Sequence, residues 1–195
     1  MTASVVMSVD VLETELAAGR VYCPGCDGPL SRWGFARERE VRMLDGTCSL
    51  RPRRARCRTC ETTHVLLPAW SVPRRRDGAE VIGRALTLKA QGAGHRTIAR
   101  RLDRPPGTVR GWLRAGARRA DALRVCGVKW AVALSEDLGR PWLADAPLQD
   151  ALDALGRAAI GWRLRLGVSA AGPWELIVAI TGGLLYGRPR DPPGY

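Results

Sequence analysis

Two Cys-x-x-Cys pairs constrain the fold of this chain more than any other feature. They are Cys23-Pro-Gly-Cys26 and Cys57-Arg-Thr-Cys60, with thirty residues between them. One such pair forms a knuckle that points two sulfurs at one centre, and a second pair completes a tetrahedron. The spacing predicts a small ribbon of β-hairpins around one Zn²⁺. Because four thiolates leave no open position for water, we expect this metal to be structural.

Disulfide and redox roles for the same cysteines are less favoured. Residues 1–20 carry Asp10, Glu13 and Glu15 and no long apolar stretch, so we expect no secretory signal. We therefore expect a reducing compartment, the bacterial cytoplasm, where disulfides are rare. A thioredoxin-like pair would need a βαβ context and no second pair.

The remaining cysteines and the two histidines are interpreted individually. Cys48 lies between the knuckles and is predicted to be a buried thiol, although it is also a candidate substitute ligand. Cys126 lies in an apolar stretch and is predicted to be core. His64, four residues after Cys60, is a second candidate substitute ligand. His95 is expected to begin a helix, and so few histidines give little support to His-based catalysis.

The positive charge of the chain is concentrated in one region. The net charge is −3 over residues 1–19, +15 over residues 20–120 and zero over residues 121–195. Such a field attracts polyanions. The alternative is a solvated basic surface that only maintains solubility. A membrane is not the expected partner, because no apolar run is long enough to span one and the bases do not share one amphipathic helix.

The order of predicted elements indicates an α+β protein with a ribbon followed by helices. The predicted segments are a short helix in 1–19, the zinc ribbon in 20–68, a basic linker in 69–76, a helical domain in 77–120 and a mainly helical region in 121–195. A leucine-rich stripe from Leu148 to Leu166 fits internal packing or a dimer seam. Residues 174–186 are apolar and fit either a helix or a strand.

Residues 97–114 have the pattern of two short helices joined by a tight corner at residues 103–106. The seam between them is apolar and comprises Ile98, Leu102, Val109, Trp112 and Leu113. In a DNA-binding unit of this kind the second helix enters the major groove. The outward positions of that helix are Pro106, Gly107, Arg110, Gly111 and Arg114.

The basic residues of this pattern suit two kinds of DNA contact. Arg110 and Arg114 lie one turn apart and are predicted to reach guanine edges or flanking phosphates. Arg100, Arg101 and Thr108 are predicted to contact the DNA backbone.

The same residues carry a family resemblance. Thr97 to Arg114 resembles the helix-turn-helix of bacterial transposases and repressors, with Asp103 at a corner where Gly is usual. Asp tolerates the left-handed conformation better than most residues. The two knuckles, with Thr63-His64, are similar to the N-terminal zinc-binding domains of insertion-sequence transposases. They are also similar to a bacterial family that pairs such a domain with a helix-turn-helix. The resemblance covers about residues 20–120.

Together these features favour a sequence-specific double-stranded-DNA-binding protein associated with a mobile element, in the nucleoid. The alternatives are a transcriptional regulator, a truncated transposase or DNA-recognition subunit, and a protein-interaction adaptor. A transposase or a second copy of the chain is a candidate partner, and no small-molecule substrate is indicated. An enzyme is disfavoured, because the acids after residue 120 do not follow alternating apolar strands as a two-metal site would require.

Overall fold

The computed structural model describes residues 2–5, 9–134, 146–167 and 171–186, and it confirms the predicted α+β class. The first half contains strands β1 to β6 and one helix, and the second half is helical. The elements are β1 Thr2–Val5, α1 Val9–Ala17, β2 Leu30–Phe35, β3 Arg39–Met43, β4 Gly46–Leu50, β5 Arg53–Cys57, β6 Thr63–Pro68, α2 Ala79–Ala90, α3 His95–Arg101, α4 Pro106–Leu134, α5 Pro147–Leu166 and α6 Pro173–Ile180.

The larger sheet has the strand order β1-β6-β5-β2. β2 and β6 both pair antiparallel with β5, and β1 adds to β6 in parallel. Leu12 and Leu16 of α1 pack with Leu30, Ala55 and Leu66 of the sheet in one buried cluster. The N-terminal segment therefore supplies a strand as well as the predicted helix.

β3 and β4 form a separate two-stranded hairpin inside the ribbon. Val41 and Leu50 of the hairpin pack with Leu67 of β6 in a second buried cluster. The prediction of a buried thiol at Cys48 is wrong: its side chain is exposed. The physical reason is that β4 belongs to a two-stranded sheet and buries only its last residue, so its other positions face solvent.

The segment predicted as a basic linker, residues 69–76, connects β6 to α2 and is largely buried. Ala69 and Val72 are buried in the helical core, and Ser71 is fully buried. The backbone N–H of Ala69 donates to the carbonyl of Val5 at 2.9 Å. Only the arginines at positions 74–76 are exposed.

The helical half shares one core, so the boundary predicted at residue 120 is not a structural boundary. α4 continues without a break from Pro106 to Leu134 and packs along α5. A Cβ on Gly127 would lie 2.7 Å from the carbonyl carbon of Ala154, so these helices meet closely. Trp130 and Trp162 stack with ring centroids 5.0 Å apart.

The C-terminal predictions are partly resolved. The undecided segment begins as helix α6 and continues in turns. Leu155 and Ala159 of the leucine-rich stripe are buried in the common core, which agrees with internal packing. The side chain of Leu166 and residues 135–145 and 187–195 lie outside the described residues. No helix in the described ranges is both long enough and apolar enough to cross a membrane.

Candidate metal centre and nucleic-acid interface

The two knuckles bring their four sulfurs together. The Sγ atoms of Cys23, Cys26, Cys57 and Cys60 all lie within 4.8 Å of one another. The Cys23–Cys60 pair is 3.7 Å apart, and the Cys26–Cys57 pair is 3.5 Å apart. A tetrahedral zinc with Zn–S bonds of about 2.3 Å needs sulfurs separated by about 3.8 Å. The cluster contains no disulfide and therefore fits a four-thiolate metal site.

The knuckles repeat the same backbone turn. In each one, the N–H of the first cysteine donates to the carbonyl five residues later. Cys23 donates to Gly28 at 2.8 Å, and Cys57 donates to Thr62 at 3.0 Å. The residue after the second cysteine is left-handed in both, with φ of 54° and 60°. These residues are Asp27 and Glu61.

Backbone N–H groups in the turns point at the sulfurs. The N–H groups of Thr59 and Cys60 lie 3.3 and 3.4 Å from Cys57 Sγ. The Cys60 N–H is the largest of the influences that lower the pKa of Cys57. The side chain of Thr62, followed by its N–H, lowers the pKa of Cys60 to about 6. The second knuckle is therefore prepared to supply thiolates, which are the form that a metal binds.

In the first knuckle, the pKa of Cys26 shifts in the opposite direction. The Gly28 N–H lowers the pKa of Cys26, but the thiols of Cys60 and Cys57 outweigh it and raise that pKa to about 12. The cluster therefore retains protons that a bound cation must displace.

Two residues besides the four cysteines, Gly28 and His64, lie against the cluster. A Cβ on Gly28 would lie 2.2 Å from Thr59 Oγ1 and 3.0 Å from Cys57 Sγ, so the knuckles can approach only with glycine there. His64 is fully buried, and its Nε2 lies 3.3 Å from Cys23 Sγ. Burial lowers the pKa of His64 and favours the neutral imidazole. His64 thus contacts a sulfur of the cluster but is not one of the four clustered groups.

The corner between α3 and α4 has a defined geometry. Asp103 follows Leu102, the C-cap residue of α3, and is left-handed, with φ of 50°. Its N–H donates to the carbonyl of Arg100 at 3.4 Å, and the N–H of Arg104 donates to the carbonyl of Ala99 at 3.0 Å. This pair of bonds is a Schellman ending. Asp103 thus fulfils the role that glycine usually has at such a corner.

The structure separates the predicted seam from the predicted outer face. The seam residues are all at most 8% exposed, and they are Ile98, Leu102, Val109, Trp112 and Leu113. The outer residues are exposed, except for the half-buried Thr108. The exposed ones are Arg100, Arg101, Pro106, Gly107, Arg110, Gly111 and Arg114. Within the described residues, Arg110 and Arg114 have no acidic partner, so their charges face solvent.

Asp77 ties the ribbon hairpin to this corner, which sequence reasoning missed. Its carboxylate accepts from Arg104 Nε and from Arg42 Nη2, each at 2.7 Å. Arg104 also donates through Nη2 to the carbonyl of Met43 at 2.9 Å. These residues are far apart in the chain and follow no shared pattern, so no sequence signal predicts the contact.

The fold and the cysteine cluster define an α+β protein with a candidate four-cysteine metal site beside a helical region. The family model that matches is described as "Domain of unknown function (DUF6431)" and covers residues 23–101. That match begins at Cys23, includes the four-cysteine cluster and ends with α3. No curated protein and no solved structure matches the chain.

Proposed function

We propose that this chain binds double-stranded DNA at specific sequences through α3 and α4, and that Zn²⁺ holds its ribbon together. The observation that carries the proposal is the outer face of α4. Arg110 and Arg114 are exposed one turn apart, beside Gly107 and Gly111. Arginine is the side chain best suited to bidentate contact with guanine.

The two glycines support close approach to a partner. Glycine in a helix is unfavourable by about 1 kcal/mol relative to alanine. At Gly107 and Gly111 an added Cβ would meet nothing within 4 Å, so internal packing does not require glycine at either position. Because these two glycines carry no side chains, the helix surface beside the two arginines is flat. Such a surface would let the helix lie close to a DNA backbone.

Charge supports a polyanionic partner. Residues 20–120, which contain the ribbon and the α3–α4 corner, carry a net charge of +15. Neutralising phosphates with arginines releases counterions, which gives sequence-independent affinity. Base contacts from α4 would add specificity to that affinity.

The zinc has a structural part in this proposal. The four cysteines would hold it, and the bound ion would crosslink the two knuckles. The four Sγ atoms would occupy all positions of a tetrahedral ion. The ribbon contains too few buried apolar residues to be expected to fold firmly without such a crosslink.

We associate the chain with a mobile element, as an accessory or recognition subunit of a transposase, because both motifs resemble those of insertion-sequence transposases. A transcriptional regulator of the same architecture would bind DNA in the same way. The identity of adjacent genes separates the two roles, since a neighbouring transposase frame favours the first.

Selection of bound sequences from a random duplex pool tests the DNA-binding proposal. The zinc-loaded chain should enrich one motif. The variant R110Q/R114Q should enrich none, whereas Lys89→Gln, which removes an exposed charge on α2, should keep the motif. Absence of enrichment by the parent chain would overturn the proposal.

A further inference from the structure

A basic groove lies between the β3–β4 hairpin and the turn that precedes α2. It is open to solvent and has a volume of about 880 Å³. Five arginines line it, and we call it the arginine groove. They are Arg37, Arg39, Arg74, Arg75 and Arg76.

The charge of the groove is not balanced from within. Its acidic lining residues are Glu38 and Glu40, which leaves an excess of three positive charges. Glu38 already accepts a hydrogen bond from the hydroxyl of Ser49. The lining therefore favours an anionic ligand with several charges.

The turn that presents the arginines is strained. Arg74 is left-handed, with φ of 60°, a conformation that favours glycine. The N–H of Arg75 closes the turn on the carbonyl of Val72 at 3.2 Å. The fold thus holds three consecutive exposed arginines although their charges repel one another, and strain of this kind concentrates at binding sites.

Two groove arginines are held in place. The guanidinium of Arg75 lies 3.9 Å from the ring centroid of Tyr186. Arg39 donates through Nη2 to Ser71 Oγ at 2.5 Å, while its buried Nε has no hydrogen-bond partner within the described residues. A donor left without a partner favours an added acceptor.

The groove is fixed relative to the α3–α4 corner. The N–H of Arg42 donates to the carbonyl of Arg76 at 2.6 Å, which attaches the turn to β3. Asp77, the next residue, binds both Arg42 and Arg104. A ligand that contacts the corner and the groove together would therefore meet a rigid surface.

We propose that the arginine groove binds phosphates of the DNA backbone beside the segment that α4 reads. This inference rests on the proposed function. The groove adds positioning and affinity without reading bases, because arginine contacts to phosphate carry no sequence information.

The test compares two double variants on the duplex selected by the parent chain. Arg74→Gly combined with Arg76→Gln removes two groove charges and gives position 74 the residue that its conformation prefers. Arg84→Gln combined with Lys89→Gln removes two exposed charges of α2 that lie neither in the groove nor on the corner. Affinity is measured over a range of salt, with hydroxyl-radical footprints and thermal melting of each protein.

The groove variant should melt at or above the temperature of the parent. Its slope of log affinity against log salt should fall by about 1 to 2, because each lost phosphate contact contributes about 0.9. Its footprint should shorten at one end while the preferred bases stay the same. The control variant should keep the slope and footprint of the parent.

Parent-like slope and footprint in the groove variant would overturn the groove and leave the proposed function intact. Failure of the parent chain itself to bind duplex DNA would overturn both proposals. These two failures are distinguishable, since the second appears without any substitution.

Discussion

Asp77 and Arg104 form a 2.7 Å salt bridge that joins the segment before α2 to the corner between α3 and α4. Their side chains are only 4% and 10% exposed. Because Arg42 binds the other oxygen of Asp77, the ribbon hairpin and the corner are held by one carboxylate. The half that contains the cysteine cluster and the helical half are therefore coupled.

Removing this carboxylate should destabilise the protein strongly. Asp77→Ala leaves the buried charge of Arg104 without its partner, which costs about 3 to 5 kcal/mol. Asp153→Ala is the control, since its pair with Arg157 is more exposed and worth less than about 1 kcal/mol. Chemical denaturation of both variants measures the difference, and equal losses would contradict the coupling.

Loss of one knuckle sulfur should release the metal. Cys57→Ser removes a buried ligand, and structural zinc contributes on the order of 10 kcal/mol to such folds. We expect loss of zinc by elemental analysis and loss of ordered ribbon signals by NMR. Cys48→Ser should retain the metal, because Cys48 lies outside the four-sulfur cluster. Unchanged zinc content in Cys57→Ser would refute the site.

Gly111 should show opposite effects on stability and binding. The Cβ added by Gly111→Ala would have no neighbour within 4 Å, so the substitution should stabilise the helix by about 1 kcal/mol. The same methyl group should weaken DNA binding, because it would stand between the helix and the DNA. Gly127→Ala in the same helix should destabilise, because its Cβ would lie 2.7 Å from the backbone of α5. Thermal melting and DNA titration test the pair. A Gly111→Ala variant that binds as tightly as the parent would argue against close approach at this face.

Arg110 should contribute to base preference rather than to general affinity alone. Arg110→Ala should lose about 1 to 3 kcal/mol of binding free energy at the selected site and relax the preference at one base position. Competition between single-base variants of the site measures this. If the variant discriminates among bases as the parent does, Arg110 is not a reader.

Local patterns allowed much of the fold to be predicted. The spacing of the cysteines predicted the four-sulfur cluster, since each knuckle is a local turn. Asp103 was placed at a left-handed corner because the apolar seam on either side fixes the helix ends. The sequence also predicted a ribbon followed by helices, because frequent turn residues in the first part of the chain are replaced by apolar residues at helical spacing in the second.

Contacts between distant residues were not predictable in this way. The parallel pairing of β1 with β6 brings together residues about sixty positions apart, and the segment alone favoured only a helix. Asp77 and Arg104 are charged residue types that are expected at the surface, and only the folded structure shows that they are buried. The expected boundary at residue 120 failed because α4 keeps its apolar face through Leu123 and Cys126, where it packs on α5 and α6.

The most direct test of the central claim is the ratio of two affinities at physiological salt. The zinc-loaded chain is titrated with its selected duplex and with a scrambled duplex of equal length and composition. Specific recognition by α4 predicts at least about a thousand-fold tighter binding to the selected duplex. Equal affinity for both duplexes, or no binding to either, would contradict sequence-specific DNA binding.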